Sequence, residues 1–327
     1  MRILVIRRGA IGDTVVTLPT LEILRRNYPD AYIEVIGNPE YWEIAHKRYY
    51  VDAISAGETK LTPELYLKNG KIGKEVSDYF SSFDLIIAYI SDPERTVSEN
   101  LRKTGAKRVL THPPFPKGDD LHAADYTALI LQETGLSFNP PLFPKIHLNE
   151  EDLDFAHEFL YPFMQYRPLI AIHPRTFGIK GLPIGKFINI GKWIENTMGG
   201  KTIWITGQAE EENIDLIKSN FPSSPLLHLY SLSKVSATLS LSNLYFGCDT
   251  GISHLAAAAG ARVLALFGPT NPHVWGPRGK RVWIIKADEM STFEEYKVKD
   301  IIIFIYNKSK EVEENKIYSY QELLNAT

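Results

Sequence analysis

Apolar and polar positions along this chain change period repeatedly. Short runs rich in β-branched residues alternate with stretches whose apolar side chains recur every three or four positions. In the first part, RILVI (2–6), YIEVIG (32–37), VDAIS (51–55), FDLIIAYI (83–90) and KRVLT (107–111) read as strands. Residues 14–28, 40–49, 72–80, 94–104 and 122–134 read as the helices between and after them. Strands separated by helices predict a parallel sheet wound on both faces.

The pattern stops at GLSFNPPLFPKIHLNEED, where three prolines and no period mark an extended linker over about 136–149. It then begins again, with strands at 168–173, 201–206, 225–230, 243–248 and 262–268 and helices at 184–197, 210–220, 233–242 and 251–260. The prediction is an α/β chain of two domains, 1–148 and 149–327, each a doubly wound parallel sheet, facing each other across a cleft. From Lys286 the pattern is less regular and ends in a short helical run, SYQELLNA (319–326), expected to pack back toward the first domain.

A length of 327 residues accommodates two such domains, and 44% hydrophobic with 23% charged residues describes a soluble globular protein. A net charge of −3 gives no global attraction for nucleic acid, so an anionic partner must be met by a local patch. The single cysteine, Cys248, excludes an internal disulfide and a Cys-rich metal site. The opening apolar run is too short for a signal peptide or a membrane span, and a cytoplasmic protein is expected.

Open α/β sheets bind ligands beyond the carboxyl ends of their strands, so the turns after strands carry the candidate chemistry. In FGCDTGISHLAAAAG, Asp249 or Thr250 can cap the next helix, and Gly251 lets backbone approach closely. The unpaired N–H groups that open a helix sit at its positive end and suit phosphate. A capped helix with a small-residue face is the plainer reading, and His254 alone reads as a core histidine. The turn IHPRTFGIKGLP offers Arg175, Thr176 and Lys180, either as a solvated basic loop or as a cradle for a negatively charged leaving group. In ITGQAEEENI, one of Glu210, Glu211 and Glu212 can hold ribose hydroxyls, although acids at a helix start are favoured by the dipole in any case.

The first turn, RRGAIGDT, offers only Gly9 and Gly12 in place of G-x-G-x-x-G. The second strand ends at Gly37 rather than at an acid, which argues against a nicotinamide site. Taken alone, Asp13 reads as the N-cap of the helix 14–28. GISHL has Leu255 where a hydrolase elbow needs glycine. Asp152 and Asp154 have D-x-D spacing but lie in an acidic first helical turn, and no cluster predicts a metal site.

Together these turns resemble glycosyltransferase family nine, the ADP-heptose:lipopolysaccharide heptosyltransferases. The resemblance rests on RRGAIGDTVVTLPTLEILRRNYPDAYI and DTGISHLAAAAGARVLALFGPTNPHVWGP, with weaker matches at IHPRTFGIK, TGQAEEE and HAADYTALI. It implies a GT-B fold, with the acceptor on the first domain and the nucleotide sugar on the second. It also implies an inverting transferase with no metal and no cofactor beyond the ADP-sugar substrate. Asp13 matches the catalytic acid of the family, with Gly9 and Gly12 leaving room for the acceptor hydroxyl. Thr176 and Lys180 match residues at the donor phosphates, Asp249, Thr250 and Gly251 its D-T-G turn, and His254 its histidine. Ile252 belongs to the same donor turn, Glu211 is the match for the ribose glutamate with Glu210 close behind, and Tyr230 falls near the adenine. Arg175, Gly181 and Leu182 depart from the family pattern.

The implied partners are a nucleotide sugar and a lipid-linked or core oligosaccharide acceptor, with peripheral contact at the inner face of the cytoplasmic membrane and no nucleic acid. Residues 49–71 read as an ordinary surface loop whose apolar and basic side chains are candidates for that contact. Two other readings keep the fold: a nucleotide-sugar epimerase, and a non-catalytic nucleotide-sugar-binding protein. The second has no need of a base such as Asp13.

Overall fold

The computed structural model describes residues 1–68, 70–308 and 314–319. The chain divides into two compact units, Met1–His147 and Leu148–Thr327. Residues 136–149 contain neither helix nor strand.

In the first unit β1 (Arg2–Ile6), β2 (Tyr32–Gly37), β3 (Ala53–Ala56), β4 (Leu85–Tyr89) and β5 (Val109–His112) form a parallel sheet in the order β3-β2-β1-β4-β5. Ile3, Leu4 and Val5 of β1 are completely buried, as a central strand covered on both faces requires. One face packs Leu4, Ile6, Ile36 and Ile86 against Phe80 and Phe83.

The second unit has β6 (Leu169–His173), β7 (Lys201–Thr206), β8 (Leu226–His228), β9 (Leu244–Cys248), β10 (Val263–Phe267), β11 (Arg281–Lys286) and β12 (Glu314–Ser319). They are parallel in the order β12-β11-β10-β9-β6-β7-β8. Phe187, Trp204, Phe221 and Trp283 anchor the core on one face of this sheet.

Three differences from the sequence pattern have local causes. The helix expected over 40–49 is a single turn, Pro39–Trp42, capped by the Asn38 side chain. Arg48 Nη1 then takes the carbonyls of Glu43 and His46 at 2.5 and 3.2 Å, Lys47 adopts φ +51°, and Tyr50 turns fully into the core. Residues 49–71 are more ordered than a plain loop. The buried Asn100 amide donates to the carbonyls of Glu64, Leu65 and Leu67 at 3.3, 3.1 and 3.0 Å and pins the turn Pro63–Tyr66. Strand β11, just before the tail, and β12 within it extend the second sheet beyond the five strands expected, with a helix at Glu295–Asn307 between them. Apart from Ser319, the helical run expected over 319–326 lies outside the described residues. Among the described residues no helix is long and apolar enough to cross a membrane.

Candidate functional site

In the first sheet, strands are added on one side from β1 to β3 and on the other from β4 to β5. The chain therefore reverses at β1 and β4, and the loop after β1 opens at that switch point. The second sheet reverses between β6 and β9, which brings the loops after these two strands side by side.

After β1 the helix begins at Ile11, three residues earlier than the pattern suggested, because extended Ala10 (φ −89°, ψ −177°) is the N-cap. Asp13 is thus not the cap. It stands in the first turn and its Oδ2 accepts the Ala10 N–H at 2.8 Å, closing one orphan donor. Its Oδ1 pairs with Arg7 Nη2 at 3.2 Å. Arg7 Nη1 donates to the Pro114 carbonyl at 2.8 Å, and the guanidinium lies 5.3 Å from the Tyr89 ring and 5.5 Å from that of Phe115. Burial pushes the Arg7 pKa below its ordinary value, and the charge of Asp13 opposes that shift.

Gly9 has φ +143°, and a Cβ there would stand 2.5 Å from Asp13 Oδ2. The missing side chain thus makes room for the Asp13 carboxylate. Gly12 is half-buried in the first helical turn. At Gly37 a Cβ would collide with the Trp42 indole, whose Nε1 donates to the Arg7 carbonyl at 3.2 Å. An indole therefore fills the place where a dinucleotide fold keeps its ribose-binding acid.

In the second unit, Lys180 Nζ meets Asp249 Oδ2 at 2.6 Å across the switch point. Thr250 is the N-cap residue of the helix Gly251–Ala258, but its hydroxyl makes no capping bond. It lies 3.5 Å from His173 Nδ1 instead. His173 Nε2 is in turn 3.6 Å from Glu210 Oε2, which accepts the Gly207 N–H at 2.9 Å. Burial pushes the Glu210 carboxyl upward, but hydrogen bonding and charge from His173, the Gly207 N–H and the charge of Arg175 outweigh it and hold the pKa below the ordinary value.

Thr176 Oγ1 accepts from Asn213 Nδ2 at 3.2 Å, and Gly181 fits because a Cβ would strike the Thr176–Phe177 peptide at 2.6 to 2.7 Å. Arg175 lays its guanidinium 4.1 Å over the Phe177 ring, with its buried Nε unpartnered. Outside this cluster Glu211, 66% exposed, pairs with His228 at 3.1 Å. Among the described residues no group of three or more His, Cys, Asp or Glu side chains is arranged to hold a metal ion.

Residues 108–302, more than half of the chain, match the family model described as glycosyltransferase family 9 (heptosyltransferase). The chain belongs to this family. It is 24% identical over 308 residues to lipopolysaccharide heptosyltransferase 1 of Pseudomonas aeruginosa, covering 86% of this chain and 82% of that protein. It resembles the solved glycosyl transferase family 9 structure from Veillonella parvula with TM-score 0.75 at 18% identity, covering 94% of this chain and 97% of the other. The Escherichia coli ADP-heptose LPS heptosyltransferase II structure gives TM-score 0.72 at 16% identity, covering 94% and 98%. These likenesses establish the fold as the two-domain GT-B type.

Of the residues inferred from sequence for this glycosyltransferase, Lys180 and Asp249 are in contact, and Thr250 reaches the same switch point through His173. Gly251 opens the helix, while Ile252 and His254 are buried within it. Tyr230 stands apart from these contacts and packs 5.4 and 6.2 Å from the Phe155 and Phe159 rings. Arg7, His173, Asn213 and His228 escaped the sequence reading. Arg7 and His173 carried a signal, a polar side chain at the carboxyl end of a buried strand, whereas Asn213 and His228 carried none.

Proposed function

We propose that this family-nine glycosyltransferase moves heptose or a related sugar from an ADP-sugar to a lipopolysaccharide core acceptor, with inversion and without a metal ion. The carrying observation is the exposure of two acid–cation pairs, one at each switch point. The Arg7–Asp13 pair has side-chain exposures of 1% and 17%, so the accessible member is the acid. In the Lys180–Asp249 pair the values are 35% and 7%, so the accessible member is the cation.

In the first unit Asp13 accepts the proton of the acceptor hydroxyl as that oxygen bonds to the anomeric carbon, with a contribution of ~10²–10⁴-fold. Arg7 holds the carboxylate in place. In the second unit Lys180 and the N–H groups that open the helix Gly251–Ala258 take the charge growing on the departing diphosphate. Asp249 keeps Lys180 in position, and its own carboxylate does not face the phosphates. Exposed Glu211 holds the ribose hydroxyls, and Tyr230 lies beside the base. The ADP-heptose donor and lipopolysaccharide acceptor are supported by the names of the related proteins. Peripheral membrane contact falls to Tyr66 and Leu67, 46% and 58% exposed on the turn that Asn100 pins.

The test is a mass-spectrometric screen of the purified protein against a panel of nucleotide sugars with lipopolysaccharide core acceptors. The reading expects an inverted glycoside from an ADP-sugar, with the rate unchanged in EDTA. Preference for a UDP donor overturns the substrate, release of free epimerised sugar overturns the reaction, and activity lost in EDTA and restored by magnesium overturns the metal-free mechanism.

A further inference from the structure

A hydroxyl has a single proton to donate, and at Thr250 two protein acceptors compete for it. Thr250 is half-buried and opens the helix Gly251–Ala258 without a side-chain capping bond. Its Oγ1 lies 3.5 Å from His173 Nδ1 and 3.5 Å from Ser253 Oγ. Ser253 has no proton left for Thr250, because it donates to the Cys248 carbonyl at 2.5 Å. The Tyr245 hydroxyl stands 3.0 Å from Ser253 Oγ, and burial pushes its pKa above the ordinary value, so it is the donor in that contact. Toward Thr250, Ser253 is therefore an acceptor.

The histidine is the variable member of this chain of contacts. Its Nε2 faces Glu210 Oε2 at 3.6 Å, and both side chains are buried. A carboxylate opposite Nε2 selects the tautomer that keeps the proton there, so a neutral His173 presents the lone pair of Nδ1 to Thr250. In that state both inner partners draw the Thr250 proton inward. An imidazolium carries N–H on both nitrogens, and Nδ1 then donates to Thr250 Oγ1. The Thr250 proton is released toward an acceptor in front of the helix, where an anionic oxygen outcompetes the neutral oxygen of Ser253. Glu210 is suited to hold the imidazolium, since its pKa stays below the ordinary value despite burial.

We infer that His173 is a positioning residue for the donor, a role that rests on the diphosphate seat proposed above: its protonation turns the Thr250 hydroxyl outward to a phosphate oxygen. The charged groups around it are Glu210 in the loop after β7, Arg175 two residues beyond it, and the Lys180–Asp249 pair beside Thr250. The two carboxylates and an incoming diphosphate favour the imidazolium, and Arg175 and Lys180 oppose it. Donor binding and protonation of His173 therefore support each other, and by reciprocity the donor binds more tightly as the pH falls. His228 and His254 are the other histidines near this edge of the sheet, and substitution of His173 separates them from it.

The test is calorimetry with the β-methyl ester of ADP, which carries the nucleoside and the diphosphate but no phosphate group that titrates near neutrality. On the unaltered protein, affinity is expected to fall about 10-fold from about pH 5.5 to about pH 8, the span over which imidazoles titrate, with net proton uptake on binding. Thr250→Val keeps the shape of the side chain without its hydroxyl and should lose more than half of that dependence. His173→Asn should lose it altogether. Binding that is independent of pH in the unaltered protein overturns the role of His173 and leaves the donor site standing. Dependence that persists in His173→Asn belongs to another histidine, and dependence kept for more than half in Thr250→Val does not pass through the hydroxyl; either result overturns the assignment. Failure of the ester to bind at any pH overturns the donor site itself.

Discussion

The two switch points are built from the same parts in opposite order. After β1 a buried arginine holds a carboxylate that reaches outward, and after β6 and β9 a buried carboxylate holds a lysine that reaches outward. Each buried member serves as an anchor, since an unpaired charge inside the fold costs several kcal/mol. Each outer member is the one available for chemistry. A motif that lists only the residue types, an acid near glycines in both loops, conceals this inversion. It explains why an aspartate in a loop shaped for anions need not be an anion ligand: Asp249 acts on Lys180, and Asp13 is presented by Arg7.

Reversing the outer member of the first pair gives the largest effect. Asp13→Asn keeps an oxygen for the Ala10 N–H and so preserves the helix start, while removing the base. Turnover is expected to fall by ~10²–10⁴-fold. Calorimetry with ADP should give unchanged affinity, because the proposed donor site is at the other pair. Unchanged turnover removes Asp13 from the reaction, and weakened ADP binding breaks the division of labour between the two loops.

The second pair predicts the opposite signature. Lys180→Ala removes a charge-assisted contact of about 1.5–3 kcal/mol, so ADP affinity should drop by about 10- to 100-fold. The substitution also leaves the buried Asp249 carboxylate without its cation, so the melting temperature should fall as well, and ADP affinity is compared below that transition. Undisturbed ADP affinity would show that the lysine faces solvent for some other reason.

How much of this was legible beforehand follows from what each signal depends on. The strand–helix alternation depends on local apolar period, and it reports most of both sheets. RVWIIK of β11 and the spacing of Val298, Ile301, Ile302 and Ile305 carry the same signal, but the first directly follows the Gly- and Pro-rich stretch 268–279 and the second follows a polar stretch without a clear period. β12, ENKIYS, alternates too weakly to stand out and is fixed by its neighbour β11. Helix 40–49 failed because the demand to bury Tyr50 overrode a helical period. At the site, the turns were readable because they follow strands. Which member of each pair is buried was not, since Arg7 is enclosed by Pro114 and Phe115 and Asp249 is reached by Lys180, all distant in sequence or across a loop.

The smallest effects separate Glu210 from Glu211, adjacent residues that divide along the same line of inside and outside. Glu210 is buried beside His173 with its pKa held below the ordinary value. The unfolded chain then binds a proton at higher pH than the folded one, so the contribution of Glu210 to stability is complete above about pH 4.3 and is lost as pH falls through the depressed pKa. Melting curves across that acid range should fall less steeply for Glu210→Gln than for the unaltered protein, and parallel curves would deny the group its role. Glu211 is mostly exposed, so Glu211→Ala should leave stability within about 0.5 kcal/mol. Its effect belongs to the ligand: loss of a hydrogen bond to ribose weakens ADP by about 3- to 10-fold. A 2′,3′-dideoxy ADP, which lacks those hydroxyls, should bind the Glu211→Ala and unaltered proteins equally. If the dideoxy nucleotide still distinguishes them, Glu211 acts through its partner His228 and not on the sugar, and the rim of the second pair must be assigned again.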